Sequence, residues 1–386
     1  MIYGFAAISI RHYCSNCFKR GEYCGNIKTF KVNESMTSNF KPTPNKILIR
    51  SVNWIGDAVM TLPAIGVIRE FFPSAEITIL ANPLVSELFR VHPWVDRVIT
   101  FDRKGLHKGV LGRFRLAAEI RQQQFDLAII LPNSLDAALI PWLAGIPVRL
   151  GKTGDGRSLL LTGRFPRKLQ PTAVHQSLNY VAIVAHFGIT GVEKQQLLVT
   201  TDDEDRSVTQ KLAEHGVNAD DFLLGINPGA TYGSAKRWYP ERFASVAARI
   251  VKETGAKVVI TGGAGEISIA ADIEKELSGS CVNLAGKTTV RELMALLKRV
   301  NLLITNDSGP MHLAAALGTP LVAIFGSTDH TTTFPLSDRA VVVREPVPCA
   351  PCMKRECPTD HICMLSVTVD RVYTEALKFY ARNLKI

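Results

Sequence analysis

From Lys46 onward, short apolar runs alternate with longer amphipathic stretches. Ile47–Val52, Glu76–Ala81, Arg97–Phe101 and Asp126–Leu131 read as buried strands, and Asp57–Phe72, Leu111–Gln123 and Leu135–Leu143 as helices. A helix starting at Gln176 leads towards Gly191 and then to four consecutive acids, Asp202–Asp205, which are expected to cap a helix over Arg206–His215. A second alternating set follows. Phe222–Asn227, Lys257–Thr261, Leu302–Thr305 and Leu321–Phe325 read as strands; Pro240–Thr254, Ile267–Leu277, Val290–Lys298, Met311–Leu317 and Asp370–Tyr380 read as helices. Alternation of this kind predicts parallel sheets with helices on both faces. Two α/β halves with a boundary near 190–220 imply a cleft between them, a favoured place for a ligand.

The most informative segment is Thr305-Asn306-Asp307-Ser308-Gly309-Pro310-Met311-His312, set between an apolar strand and an Ala-rich helix. A helix opening on Ser308 and Pro310 offers unpaired N–H groups and a positive dipole end to an anion. Asp307 can bind hydroxyls, Ser308 and Gly309 can present N–H groups, and His312 lies one turn on. These residues predict a site for a phosphorylated, hydroxyl-rich ligand. Taken alone, His312 reads equally as a structural histidine.

Three other strand-to-helix turns carry chemistry. In Asn53-Trp54-Ile55-Gly56-Asp57, Asp57 reads either as an N-cap or as a general base at the end of the first strand. In the run Asn227–Trp238, glycines, the hydroxyls of Thr231 and Ser234, and Lys236-Arg237 suit phosphate oxygens, although the order is not that of a P-loop. In Gly262-Gly263-Ala264-Gly265-Glu266, the glycines permit close approach of a ligand, and Glu266 reads either as a sugar contact or as a first-turn acid.

Composition adds limits. The chain has 386 residues, 46% hydrophobic and 21% charged, suited to two globular domains. No apolar run reaches the roughly 18 residues of a membrane span, and Met1–Ile10 lacks a basic lead and a cleavage site. A cytosolic compartment is expected. The net charge of +10 is uneven: +4 over residues 1–43, +7 over 44–200 and −1 over 201–386. The excess is densest from Arg103 to Lys168 and reads either as a solvated surface or as a face for an anionic partner, whether nucleic acid, acidic membrane or acidic glycolipid. Of eight cysteines, Cys14, Cys17 and Cys24 lie near the N-terminus, and Cys349, Cys352, Cys357 and Cys363 form a C-x2-C-x4-C-x5-C tract. That tract reads either as a zinc site of unusual spacing or as a thiol-rich loop. Residues 1–43 show no amphipathic period. Met36 stands before a Pro-containing stretch and reads as the true start, the alternative being a real N-terminal appendage.

Ser51–Pro63, Asn227–Trp238 and Thr305–Gly326 together resemble glycosyltransferase family 9, the bacterial ADP-heptose–lipopolysaccharide heptosyltransferases, over Lys46 to Tyr380. The N-D-S-G-P-M-H-L-A-A-A-L-G-T-P-L-V-A-I-F-G block carries most of that likeness. The P-G-A-x-x-G-x-A-K-R-W run and the cysteines after Pro348 resemble the heptosyltransferase II branch. The resemblance implies a GT-B fold, two Rossmann-like domains facing a cleft. Residues 44–200 would hold the lipopolysaccharide acceptor and 201–386 the nucleotide sugar, with 1–43 outside the core. It also implies that Asp57 is the catalytic base, that Lys236 binds the diphosphate with Thr231 and Ser234 nearby, that Glu266 lies near the ribose, and that Asp307, Ser308, Gly309 and His312 contact heptose and phosphates. The implied reaction is an inverting heptosyl transfer from ADP-heptose with no cofactor required. It would take place at the inner face of the inner membrane, with peripheral membrane association and no nucleic-acid partner. The rivals are a transferase or epimerase using another nucleotide sugar, and a non-catalytic glycan-binding homologue.

Overall fold

The computed structural model describes residues 5–10, 28–33, 40, 42–171, 173–192 and 195–383. A two-stranded antiparallel hairpin pairs Phe5–Ile10 with Lys28–Asn33. Cys14, Cys17 and Cys24, and Met36, read from the sequence as the true start, lie outside the described residues. The chain divides into two compact units, with the division falling between Leu197 and Leu198.

The first unit contains a six-stranded sheet: β1 Lys46–Arg50, β2 Glu76–Ala81, β3 Arg97–Thr100, β4 Leu127–Ile130, β5 Val148–Lys152 and β6 Gly163–Phe165. All neighbours are parallel, in the order β3-β2-β1-β4-β5-β6. Ile47, Leu48 and Ile49 in the central β1 are fully buried. This is why the strand is continuously apolar rather than alternating, and each such side chain contributes about 1.5–3 kcal/mol by leaving water. The helices are α1 Ile55–Phe71, α2 Pro83–Phe89, α3 Gly109–Gln122, α4 Leu135–Leu143 and α5 Gln176–His186. Helix α1 packs against α5. On the α3 side, Leu116, Ala117 and Ile120 pack with Leu48, Leu80, Phe101, Ala128 and Ile140.

The second unit repeats the plan. Its strands are β7 Leu223–Asn227, β8 Lys257–Ile260, β9 Val282–Asn283, β10 Leu302–Asn306, β11 Leu321–Ile324 and β12 Ala340–Val343, all parallel in the order β9-β8-β7-β10-β11-β12. Around it lie α6 Asp202–Ala213, α7 Pro240–Thr254, α8 Ile267–Glu276, α9 Val290–Arg299 and α10 Gly309–Ala316. The C-terminal α11, Val369–Asn383, adds Val372, Ala376 and Phe379 to a core containing Leu224, Ile226, Trp238, Phe243, Ile260 and Ile304. Each sheet has the strand order of a dinucleotide-binding α/β fold, so both units are Rossmann-like.

Two local expectations change. Helix α6 starts four residues earlier than expected. Thr201 is its N-cap, in a capping box with Glu204, so the acids form the first turn instead of preceding it. Four edge or near-edge strands (β5, β6, β9 and β12) were not predicted: β5 and β6 interrupt their short runs with Gly, Arg or Lys, and β9 and β12 have only two and four residues.

Candidate active site

In each sheet the strand order reverses beside the central strand, between β1 and β4 and again between β7 and β10. In such folds, ligands bind in the crevice beyond the carboxyl ends of the strands at that point. Three of the four turns singled out in the sequence fall there: Asn53–Asp57 after β1, Asn227–Trp238 after β7 and Thr305–His312 at the end of β10, while Gly262–Glu266 follows the neighbouring β8.

In the first unit, the residues after β1 and β4 border a cavity of about 260 Å³, also lined from β5 and α5. Its polar lining includes Asn53, Asp57, Lys152, Gln170, Gln176 and Asn179, with Trp54 and Tyr180 as aromatic walls. Asp57 is not the N-cap. Trp54 holds that position, without a side-chain capping bond, and Asp57 stands at the third residue of α1. Tyr180 is buried, and burial together with the nearby Asp57 carboxylate pushes its phenol above the usual range. Lys152 is buried and donates to Gln170 Oε1; burial, then Arg167 and Arg157, push its ammonium down. Below the cavity, buried Arg50 donates to Ser51 O at 2.6 Å, Leu80 O at 3.1 Å and Asn53 Oδ1 at 3.3 Å, tying β1, β2 and the turn before α1 together. Neither Lys152 nor Tyr180 was legible as a site residue in the sequence. Their place depends on packing of segments about a hundred residues apart, and a lone Lys ending a weak strand carries no signal.

In the second unit, the loop after β7 meets the turn after β10. Lys236 ends the 3-10 turn Ser234–Lys236 and places Nζ 2.6 Å from Asp307 Oδ2 and 4.8 Å above the Tyr232 ring. Asp307 is buried, and its Oδ2 also accepts from Thr328 Oγ1 at 2.6 Å. Ser308 is the N-cap of α10, which opens Gly309-Pro310, and its hydroxyl lies 3.2 Å from Asn227 Oδ1. His312 is buried and its Nδ1 makes no hydrogen bond among the described residues. Burial drives the imidazole down to about 4, helped by Lys236 and opposed by Asp307, so it is neutral near pH 7. Thr231 and Ser234 are exposed on the same loop.

One carboxamide holds this loop. Asn306 Oδ1 accepts from Trp238 N at 3.0 Å, and its Nδ2 donates to Pro228 O at 2.7 Å. Glu266 closes its own turn by accepting from Gly263 N at 2.8 Å, and it also reaches the loop. A Cβ on Gly229 would stand 1.8 Å from Glu266 Oε1, so only glycine lets that carboxylate approach. The structure therefore brings Lys236, Asp307, Ser308 and His312 together, and seats Glu266 against Gly229 on the neighbouring turn. Asn306 and Thr328 are the members that sequence reasoning missed. Asn306 lay inside the quoted motif, but its cross-loop contacts did not.

The cysteine tract does not form the metal site that its spacing allowed. Among the described residues, no group of three or more His, Cys, Asp or Glu is placed to hold a metal ion. Cys363 is buried in the core and Cys349 is exposed. Cys357 faces Thr359 Oγ1 at 3.5 Å.

The profile of glycosyltransferase family 9 (heptosyltransferase) matches residues 113–363. The chain belongs to this family. Family 9 relatives include the lipooligosaccharide heptosyltransferase 2 of Haemophilus influenzae, 33% identical over 310 residues, covering 77% of this chain and 88% of that protein. The lipopolysaccharide heptosyltransferase 2 of Escherichia coli is 32% identical over 316 residues, covering 78% and 88%. Among solved structures, the E. coli ADP-heptose lps heptosyltransferase II superposes with a TM-score of 0.74 at 28% identity, covering 88% of this chain and 99% of that one. A family 9 glycosyltransferase from Veillonella parvula shares the fold, with a TM-score of 0.80 at 24% identity, covering 88% and 98%. As a family 9 member the protein is a glycosyltransferase enzyme of the GT-B class.

Proposed function

We propose that this enzyme transfers L-glycero-D-manno-heptose from ADP-heptose to the inner core of a lipopolysaccharide precursor, with inversion, as a heptosyltransferase of type II. The Asp57 carboxylate takes the proton from an acceptor heptose hydroxyl in the cavity of the first unit. The freed oxygen attacks the anomeric carbon of the donor from the face opposite the diphosphate, and the bond to ADP breaks. Lys236 and the N–H groups opening α10 at Ser308 and Gly309 stabilise the charge that develops on the departing diphosphate, a preorganised electrostatic contribution. Thr231 and Ser234 supply hydroxyls to the phosphates, Glu266 takes the ribose, and Asp307 and the neutral His312 take heptose hydroxyls and phosphate oxygen.

The observation that carries this reading is that each unit, with an identically ordered sheet, carries chemistry-bearing residues at its own switch point. One holds an acid in a cavity lined by side-chain amides, a lysine and the aromatic rings of Trp54 and Tyr180, and the other a lysine beside a helix N-terminus. The names of the relatives and of the E. coli structure supply heptose as the sugar and ADP as its carrier. The anionic acceptor accords with the positive first half of the chain. No helix among the described residues is long and apolar enough to cross a membrane, and we place the enzyme as a peripheral protein at the inner face of the inner membrane. Mass and linkage analysis of products from ADP-heptose and truncated core acceptors tests the reading. A single added heptose on heptosyl-Kdo2-lipid A is expected; transfer from another nucleotide sugar but none from ADP-heptose would overturn it.

A further inference from the structure

We propose that the loop Asp102–Lys108 and the first two turns of α3 form a docking surface for an anionic lipid bilayer. This inference rests on the membrane-associated reading above and names the surface that carries it.

Helix α3 is apolar on both its inner and its outer side at its start. Gly112, Leu116, Ala117 and Ile120 form its buried face. The opposite side of a surface helix is ordinarily polar, but in its first two turns it carries Val110, Leu111 and Phe114, exposed by 69%, 84% and 54%. Leu106, in the loop just before, is 58% exposed. These four residues span nine positions and form one outward apolar ridge. Beyond it the same face becomes polar, ending in Arg121 and Gln122.

The ridge is set in positive charge. Residues 103–118 contain Arg103, Lys104, Lys108, Arg113 and Arg115 and no acid. Arg103 and Arg113 both pair with Asp136 at the start of α4. Lys104, Lys108 and Arg115 are exposed and form no ion pair among the described residues. Protein partners select against lysine at their contacts, whereas an apolar ridge flanked by lysine and arginine is the composition of helices that lie in a lipid headgroup layer. Charge complementarity therefore commits the surface to acidic lipid.

The surface is fixed rather than loose. Buried His107 closes the loop: its Nδ1 accepts from Asp102 N at 3.2 Å, and its backbone N–H donates to Asp102 O at 2.8 Å. A Cβ on Gly112 would stand 2.2 Å from the His107 carbonyl carbon, so the first turn of α3 lies directly against the loop. Arg50 and Arg103 both lie over the Phe101 ring, with Cζ atoms 5.6 and 5.7 Å from its centroid. Arg50 in turn holds Asn53 in the wall of the Asp57 cavity. Because the sheet is all parallel, the loop after β3 emerges from the same edge as the turns after β1 and β4 that border this cavity. A bilayer on this ridge thus meets the edge of the unit where a lipid-borne acceptor would enter.

Flotation of the full chain with vesicles tests the surface. Retention is expected on phosphatidylethanolamine vesicles containing phosphatidylglycerol, weakening with added salt, and not on phosphatidylcholine alone. Leu111→Ser/Phe114→Ser should lower binding tenfold or more. Lys104→Ser/Lys108→Ser/Arg115→Ser should lower it roughly a hundredfold, since each cation near an acidic surface is worth roughly fivefold. Both variants should keep wild-type kcat on a water-soluble truncated acceptor. Failure of the wild-type chain to bind acidic vesicles overturns the proposal, as does binding of both variants at wild-type strength. So does a dimer, seen by sedimentation velocity, that the apolar variant alone dissolves, because a second copy would then cover the ridge. Lost vesicle binding with heptosyl transfer intact leaves the transferase reading standing; vesicle binding without transfer from ADP-heptose does the reverse.

Discussion

Replacement of His312 by Gln should remove a pH dependence built into the second unit. The buried imidazole has its pKa pushed down to about 4, whereas in an unfolded chain a histidine titrates near 6.5. Between those values the unfolded chain binds a proton that the folded chain does not, so stability falls as pH falls. The full difference, about 2.5 pKa units at about 1.4 kcal/mol each, amounts to about 3 kcal/mol once pH is below the folded value. From pH 7 to pH 5 the loss is about 2 kcal/mol, because the unfolded imidazole has then taken its proton and the folded one has barely begun to. His92, His186 and His330 are also held low by burial, but they are common to wild type and variant and cancel. The measurement is urea unfolding at the two pH values, followed by Trp238 fluorescence with Trp54, Trp94 and Trp142 replaced by Phe. Trp238 is then the sole indole, and it is buried in the core of the second unit. If H312Q loses as much stability as wild type between pH 7 and 5, to within about 0.5 kcal/mol, the neutral buried imidazole is refuted.

Three further outcomes follow from the same geometry. Asp57→Asn keeps the shape of the cavity but removes the base, so kcat should fall roughly 10²- to 10⁴-fold with little change in acceptor KM; a change under about fivefold would exclude Asp57 as base. Lys236→Met removes the cation held 2.6 Å from Asp307 and should lower kcat/KM for the donor roughly 10²- to 10³-fold; unchanged steady-state constants for ADP-heptose would take Lys236 out of the site. Thr328→Val deletes the hydroxyl that Asp307 accepts from at 2.6 Å, and urea unfolding should register a loss of about 1–3 kcal/mol; an unaltered midpoint would mean that Lys236 alone suffices for the carboxylate.

What could be read without coordinates follows from which interactions are local. Ile47-Leu48-Ile49 and Leu302-Leu303-Ile304 are buried on both faces of a parallel sheet, so their apolar runs announced central strands. The turn residues Asp57 and Asp307 follow those strands, and Lys236 follows the equally buried Leu223–Asn227, so all three could be placed with them. The edge strand Val282–Asn283 has two residues and no period to detect. Asp57 looked like an N-cap because a helix start was read at the acid, but the chain turns helical two residues earlier, behind Trp54. The cavity around Asp57 could not be assembled either, since Lys152 and Tyr180 reach it from a strand and a helix far along the chain. The cysteine spacing left a zinc site and a thiol-rich loop both open; among the described residues no group is placed to hold a metal ion, with Cys363 buried in the core and Cys349 exposed, and spacing does not encode that burial.

The carboxamide of Asn306, bonded to Pro228 O and Trp238 N, has a kinetic consequence. It clamps both ends of an eleven-residue stretch (Pro228 to Trp238) that would otherwise lose about 1–2 kcal/mol of backbone entropy per residue on ordering. That cost is met when the chain folds, before any nucleotide arrives. Donor capture by this loop is then a single encounter with a rigid surface. In stopped-flow mixing, the observed rate should rise linearly with donor concentration, without the plateau that a loop-ordering step would impose.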